Sequence, residues 1–171
     1  MKTVKVAAAF IAVLVLAAGC AGGLVFYDKG NSAGGWRYLE AAPEDIGQLV
    51  ARTEHLDSSD FSERGVGWGK RNTAAIMKQA EKKGGGFGWA AQACVTYELN
   101  GFNDWFLPSL DELNYMYGNL HMKGLGDFRN DNYRSSTAFQ HYWWWENFGT
   151  GKQEDDGVLD RRWRVRPIRQ F

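Results

Sequence analysis

Residues able to do chemistry are few in this chain, and they are scattered. His55, His121 and His141 stand far apart, without the short spacings that bring imidazoles onto one metal ion. Cys94 lies in "WAAQACVTYEL", a small-residue helical face on which a lone thiol reads as a small hydrophobe rather than a nucleophile. Ser135-Ser136 lacks the flanking glycines of a nucleophile elbow. Asp111 and Glu112 are adjacent, but Ser109 three residues before Glu112 forms a capping box, which commits that carboxylate to starting a helix. Asp155-Asp156-Gly157 resembles the acids of a calcium loop, yet the spaced ligands and closing glutamate are missing. Gly65-Val66-Gly67-Trp68-Gly69 could cradle an anion, but no strand leads straight into it, and it reads as a flexible loop. No catalytic residue, metal or cofactor is expected from these patterns.

Binding chemistry is better represented. "HYWWWENF", residues 141–148, spends three of the eight tryptophans on consecutive positions. In a strand such a run must divide between two faces. Trp144, Glu146 and Phe148 fall on one; Phe139, His141, Trp143, Trp145 and Asn147 fall on the other. Aromatic rings beside hydrogen-bonding groups suit sugar rings or protein hot spots. The same period in "RRWRVRP" puts Trp163 and Val165 inward and Arg162, Arg164 and Arg166 outward. A row of arginines can hold sulfates or carboxylates in bidentate fashion, or can be a solvated edge that discourages strand pairing.

These side chains need a scaffold, and its elements are legible. Residues 24–27 read as a strand, turned by Asp28-Lys29-Gly30 into a near-hairpin with "GWRYLEAAP". "NTAAIMKQAEKKGG" reads as a helix capped by Asn72 or Thr73, with Ile76 and Ala80 on one face and Gly84 as its stop. "WAAQACVTYEL" reads as a second, with Ala90, Ala93, Cys94 and Tyr97 at helical spacing, broken by Asn100-Gly101. After Pro108 a short helix carries the stripe Leu113, Met116, Tyr117 and Leu120. From Asp127 onward the pattern is strand and turn: "YRSST", "YWWWENFGTG" and "RWRVRPIRQF".

The first twenty residues stand apart. Lys2 and Lys5 precede an apolar run from Val6 to Ala18, then small residues and Cys20: a secretory leader. Cys20 after Ala17-Ala18-Gly19 resembles a bacterial lipobox, in which the cysteine is lipidated and begins the mature chain; Ala17 stands where a larger residue is usual. Ordinary secretory cleavage and a retained membrane span extending through Leu24–Phe26 are the alternatives. Two acyl chains, at about 0.8 kcal/mol per buried CH₂, suffice for stable anchoring. Only residues 21–23 then separate the lipid from the first strand, so the domain should sit almost on the membrane. With 20 basic and 20 acidic residues the bulk charge gives no support for nucleic-acid binding.

The segments "LVFYDKG…GWRYLEAAP", "NTAAI", "AAQACVTYELNGFNDWFLPSLDEL" and "RVRPIRQF" together resemble the Lcl C-terminal domain family of bacterial envelope lipoproteins and adhesins. The likeness runs through nearly all of residues 21–171. Its most specific element is Asp104-Trp105-Phe106-Leu107-Pro108-Ser109 followed by Glu112-Leu113. "LPS-x-x-E" is also similar to the corner of formylglycine-generating-enzyme-type domains. The resemblance implies an α+β, C-type-lectin-like domain: helices packed on a mixed, mostly antiparallel sheet, termini close together, and a loop-rich C-terminal half that carries ligands. In some relatives that half is varied by retroelements.

Relatives often carry Trp-x-x-x-Phe at the spacing of Trp144 and Phe148, which implies that these two face the core. Trp143 and Trp145 would then lie outward; the alternative is that long loops, or a neighbouring subunit, cover all three tryptophans. The expected ligand-binding set is Phe139, His141, Trp143, Trp145, Asn147, Arg162 and Arg164, with Cys20 as lipid anchor. Relatives have a tryptophan where this chain has Arg134, a departure that would open a gap or alter the nearby surface. Formylglycine-type oxidation needs a pair of thiols, and beyond Cys20 the chain offers only Cys94. The resemblance thus implies a non-enzymatic, membrane-anchored envelope protein that binds an extracellular glycan or protein. The alternatives are a structural lipoprotein that self-associates into a homo-oligomer and, more remotely, an enzyme of the formylglycine-generating type.

Overall fold

A computed structural model describes residues 19–49, 56–86, 88–140, 142–156 and 161–171. They form a mixed α+β arrangement of three α-helices and two sheets. In the smaller sheet β1 (Leu24–Asp28), β2 (Tyr38–Ala41) and β8 (Ile168–Gln170) run antiparallel in the order β1-β2-β8. The first and last strands therefore flank β2. The larger sheet has the order β3-β7-β4-β5-β6, from β3 (Gln48–Leu49), β4 (Asn132–Phe139), β5 (Tyr142–Asn147), β6 (Lys152–Asp156) and β7 (Trp163–Arg164). Only β4 and β7 pair in parallel, so the expected mixed, mostly antiparallel sheet is observed.

Helix α1 (Gly69–Lys82) buries Ile76 and Ala80, as its spacing predicts, but begins a turn before Asn72. Asn72 and Thr73 do not cap it. Their side chains are spent on distant backbone: Asn72 Nδ2 donates to the Glu63 carbonyl (2.6 Å), and Thr73 Oγ1 both accepts from Leu107 N–H (3.0 Å) and donates to its carbonyl (3.2 Å). Gly84, at φ +83°, lies just past the helix end, where left-handed backbone favours glycine. Helix α2 (Trp89–Val95) is shorter than its pattern suggests; Tyr97 leaves the helix and packs edge-on against Trp105. Helix α3 (Leu110–Asn119) starts at the expected capping box, with Ser109 and Glu112 each bonding the other's backbone N–H.

The core has two main parts. Phe61, Ile76, Cys94, Leu107, Trp143 and Val165 join α1 and α2 to one face of the larger sheet. Phe106, Leu113, Met116, Tyr133, Phe148 and Ile168 join α3 to its other face and to the smaller sheet. Both faces of β4 and β5 are thus covered, though not along their whole length.

Candidate functional site

The two-sided cover decides where the tryptophans point. Trp143 is 4% exposed and stacks on Phe61 with ring centroids 5.3 Å apart. Trp145 is 8% exposed and packs on Trp163, also at 5.3 Å. The expectation that Trp143 and Trp145 lie outward is therefore corrected: they form the inner face, beneath the 3-10 turn Ser58–Phe61 and beside β7. The opposite face is buried only where α3 crosses it, at Glu146 and Phe148; the Phe148 ring meets Tyr117 at 5.5 Å and Tyr133 at 4.2 Å. Beyond α3 the same face is open, and Trp144 is only half-buried.

Phe139 also changes face. It belongs to β4 and pairs across the hairpin with Tyr142, and paired residues share a face. Phe139 (57% exposed), Tyr142 (48%) and Trp144 thus form one aromatic row at the open end of the hairpin. Gln140, at φ +49°, makes the turn, and His141 lies outside the described residues. Sequence periodicity missed Tyr142 because it treated residues 139–148 as one strand. The signal was a turn between two aromatics, which sets residue 139 opposite residue 142.

Polar groups continue the row along the sheet. Asp155 of β6 is the cross-strand partner of Trp144, and Gln153 is that of Glu146. Gln153 Nε2 donates to Glu146 Oε2 (3.1 Å) and its Oε1 accepts from Arg64 (3.1 Å), which also pairs with Asp111 (3.0 Å). Glu146 is fully buried, and its Oε1 meets no donor among the described residues. Burial pushes its carboxyl up to about 7, against the Gln153 hydrogen bond and with help from the Asp111 charge.

The remaining expected contact residues are occupied elsewhere. Asn147 organises the β5–β6 turn: its amide donates to Asn132 Oδ1 (2.6 Å), and its oxygen accepts from Gly149 N–H (3.0 Å) and the Thr150 hydroxyl (3.1 Å). Arg164 is half-buried and pairs with Asp131 (2.9 Å) and Asp45 (3.4 Å). Arg162 is exposed. Trp163 and Val165 face inward as expected, but Arg166 does so too. Strand β7 ends at Arg164, so alternation does not carry on to residue 166. The Arg166 guanidinium instead bonds Asp45 (2.7 Å) and the carbonyls of Ala42, Pro43 and Gly126. Arg134 leaves no large gap: it is buried with its guanidinium 3.8 Å from the centre of the Trp163 ring.

The glycine-spaced loop is an anion cradle after all, and the chain supplies the anion. Gly67 N–H donates to Glu112 Oε1 (2.8 Å) and Ser109 N–H to Oε2 (2.8 Å), so the loop is pinned to α3 rather than flexible. Burial lifts the Glu112 carboxyl to about 7 against these bonds. A Cβ on Gly69 would stand 2.2 Å from Glu112 Oε2, so glycine is required there. Burial likewise raises the Cys94 thiol far above its ordinary range, which leaves it a packing residue. Among the described residues no three His, Cys, Asp or Glu side chains are grouped to hold a metal ion. Comparison of the chain with protein-family models and with curated proteins finds no match.

Proposed function

We propose that this chain is a lipid-anchored bacterial envelope protein that binds an extracellular ligand, a glycan or a protein, through a C-type-lectin-like domain of the Lcl C-terminal kind. The leader ending at Cys20 and the "DWFLPSLDEL" corner support the anchor and the family. The observation that carries the binding reading is the aromatic row of Phe139, Tyr142 and Trp144, left open beside Asp155 and Gln153. Planar rings with hydrogen-bonding groups at their edge suit the apolar face of a sugar ring or a partner's side chain, and stacked rings contribute about 0.5–1.5 kcal/mol beyond area burial. Trp143 and Trp145 support the row from beneath and are not contact residues. No catalytic role is proposed, since Cys94 is sealed in the core.

A glycan array probed with the soluble domain tests this. Phe139→Ala/Tyr142→Ala should abolish binding to the array hits while the melting transition stays nearly unchanged. Undiminished binding by that variant would sink the proposal. The same open rings would also serve self-association, which is the second reading. Sedimentation of wild type and variant separates the two: a wild-type oligomer that the double substitution dissociates favours self-association.

A further inference from the structure

We propose that the surface formed by residues 20–23 and the Asn100-Gly101 turn is the face this domain lays on a phospholipid bilayer. The inference rests on the reading of residues 1–20 as a membrane-directing leader. In two versions of that reading, a lipidated Cys20 or a retained apolar span, which cannot run on through Leu24–Phe26 because those residues form β1, the membrane attachment meets the fold at the same place. The chain is held from that point on. The Ala21 side chain is buried, and Gly23 N–H donates to the buried Glu40 carboxylate at 2.7 Å. Asn100 Nδ2 donates to the Ala21 carbonyl (3.0 Å), and Arg169 Nη1 to Cys20 Sγ (2.8 Å). A Cβ on Gly23 would lie 2.1 Å from the Ala41 carbonyl oxygen, and Gly22 N–H donates to the Gly19 carbonyl (3.0 Å), so the segment is a turn packed tightly against β2. A free linker would let the domain tumble about its anchor; a bolted one fixes which face meets the lipid.

The chemistry of that face agrees. Arg169 is consumed internally: its guanidinium forks onto Asp104 (2.7 and 3.1 Å), bonds Glu40 (3.3 Å) and lies 4.3 Å over the Phe102 ring. Glu98 is exposed just before the turn and Asp104 just after it is paired with Arg169, whereas the exposed residues of the attachment and the turn itself, Cys20, Gly22, Asn100, Gly101 and Asn103, are uncharged. They bring no repulsion from anionic headgroups. Asn100 (φ +51°) and Gly101 (φ +81°) both take left-handed backbone, and Leu99 and Phe102 exchange hydrogen bonds of 3.0 and 2.9 Å, a stiff two-residue turn. That turn stands beside the chain entering from the membrane.

The test uses the full chain, made in a bacterial host with its own leader and reconstituted into vesicles carrying a headgroup-linked nitroxide lipid. A fluorophore is placed at Asn103→Cys or, for comparison, at the exposed Ser59→Cys; the buried Cys94 does not compete for label, a lipidated Cys20 is blocked, and labelling of the natural chain alone measures and subtracts any unlipidated Cys20. The proposal expects several-fold stronger quenching at position 103 than at 59. A ten-residue Gly/Ser insertion between Cys20 and Ala21, which preserves the contacts of Ala21 and Gly23, should bring the two positions close to equality. Equal quenching in the natural sequence, with the protein in the membrane fraction, overturns the docking face and leaves the anchor reading standing. A difference that persists after the insertion overturns the claim that the short segment sets the orientation. Recovery of the chain only in the soluble fraction overturns the anchor reading itself.

Discussion

The glycine loop at residues 65–69 and the open end of the β4–β5 hairpin are both built from residues that bind things, and the fold uses them in opposite ways. At the loop, Gly67 N–H and the neighbouring Ser109 N–H converge on a carboxylate, and the chain fills the site with its own Glu112. At the hairpin end, three aromatic rings share a face, and α3 stops short of covering them. A saturated anion cradle stabilises; an uncovered aromatic row is available. Motif chemistry alone does not separate the two cases, because the partner that fills the loop lies 45 residues away in sequence.

The contrast can be broken at several points. The largest effect is expected at Gly69→Ala, where the new Cβ would press on Glu112 Oε2, Ser109 N and the Leu107 carbonyl. Denaturant unfolding should show a loss of about 4 kcal/mol or failure to fold, and a change below ~0.5 kcal/mol would mean the cradle is slack. Next, Trp143→Ala should cost about 3–4 kcal/mol, whereas Trp144→Ala should cost about 1–2 kcal/mol. Equal or reversed losses would undo the assignment of faces.

A third effect appears in pH. Glu112 and Glu146 both hold a proton more tightly in the fold than the ordinary 4.5, up to about 7. Their contribution is therefore complete below about 4.5 and declines as pH rises through about 7, by up to about 3 kcal/mol for each group. Urea midpoints measured from pH 4.5 to 8 should fall, and Glu146→Gln should flatten part of the slope. A midpoint that rises across this window would contradict the burial argument. Smallest are Phe139→Ala and Tyr142→Ala, each within about 0.5 kcal/mol of wild type in stability, since neither ring is enclosed. A larger loss in thermal or urea unfolding would place them in the core.

Much of the scaffold was legible because its signals are local. Ser109 and Glu112 announced the start of α3, Leu113, Met116 and Leu120 its buried stripe, and Ile76 and Ala80 the inner face of α1. The site was less legible because it depends on what lies above each face of the sheet. Alternation divided Trp143, Trp144 and Trp145 between two faces, but which face stays open follows from where α3 ends, a tertiary fact. Phe139 was misplaced by extending one strand's period through a turn, and Arg166 by extending it past the end of β7. Glu146, awkward in sequence as an inward carboxylate, is indeed buried, with Gln153 as its one hydrogen-bond donor among the described residues.

The row of Phe139, Tyr142 and Trp144 is tested most directly by following the indole N–H signals of the soluble domain while an oligosaccharide hit from the array is added. The Trp144 signal should shift with ligand concentration while those of Trp143 and Trp145 stay in place. Movement of Trp143 or Trp145 with Trp144 unaffected would put the contact surface on the other face and contradict the account.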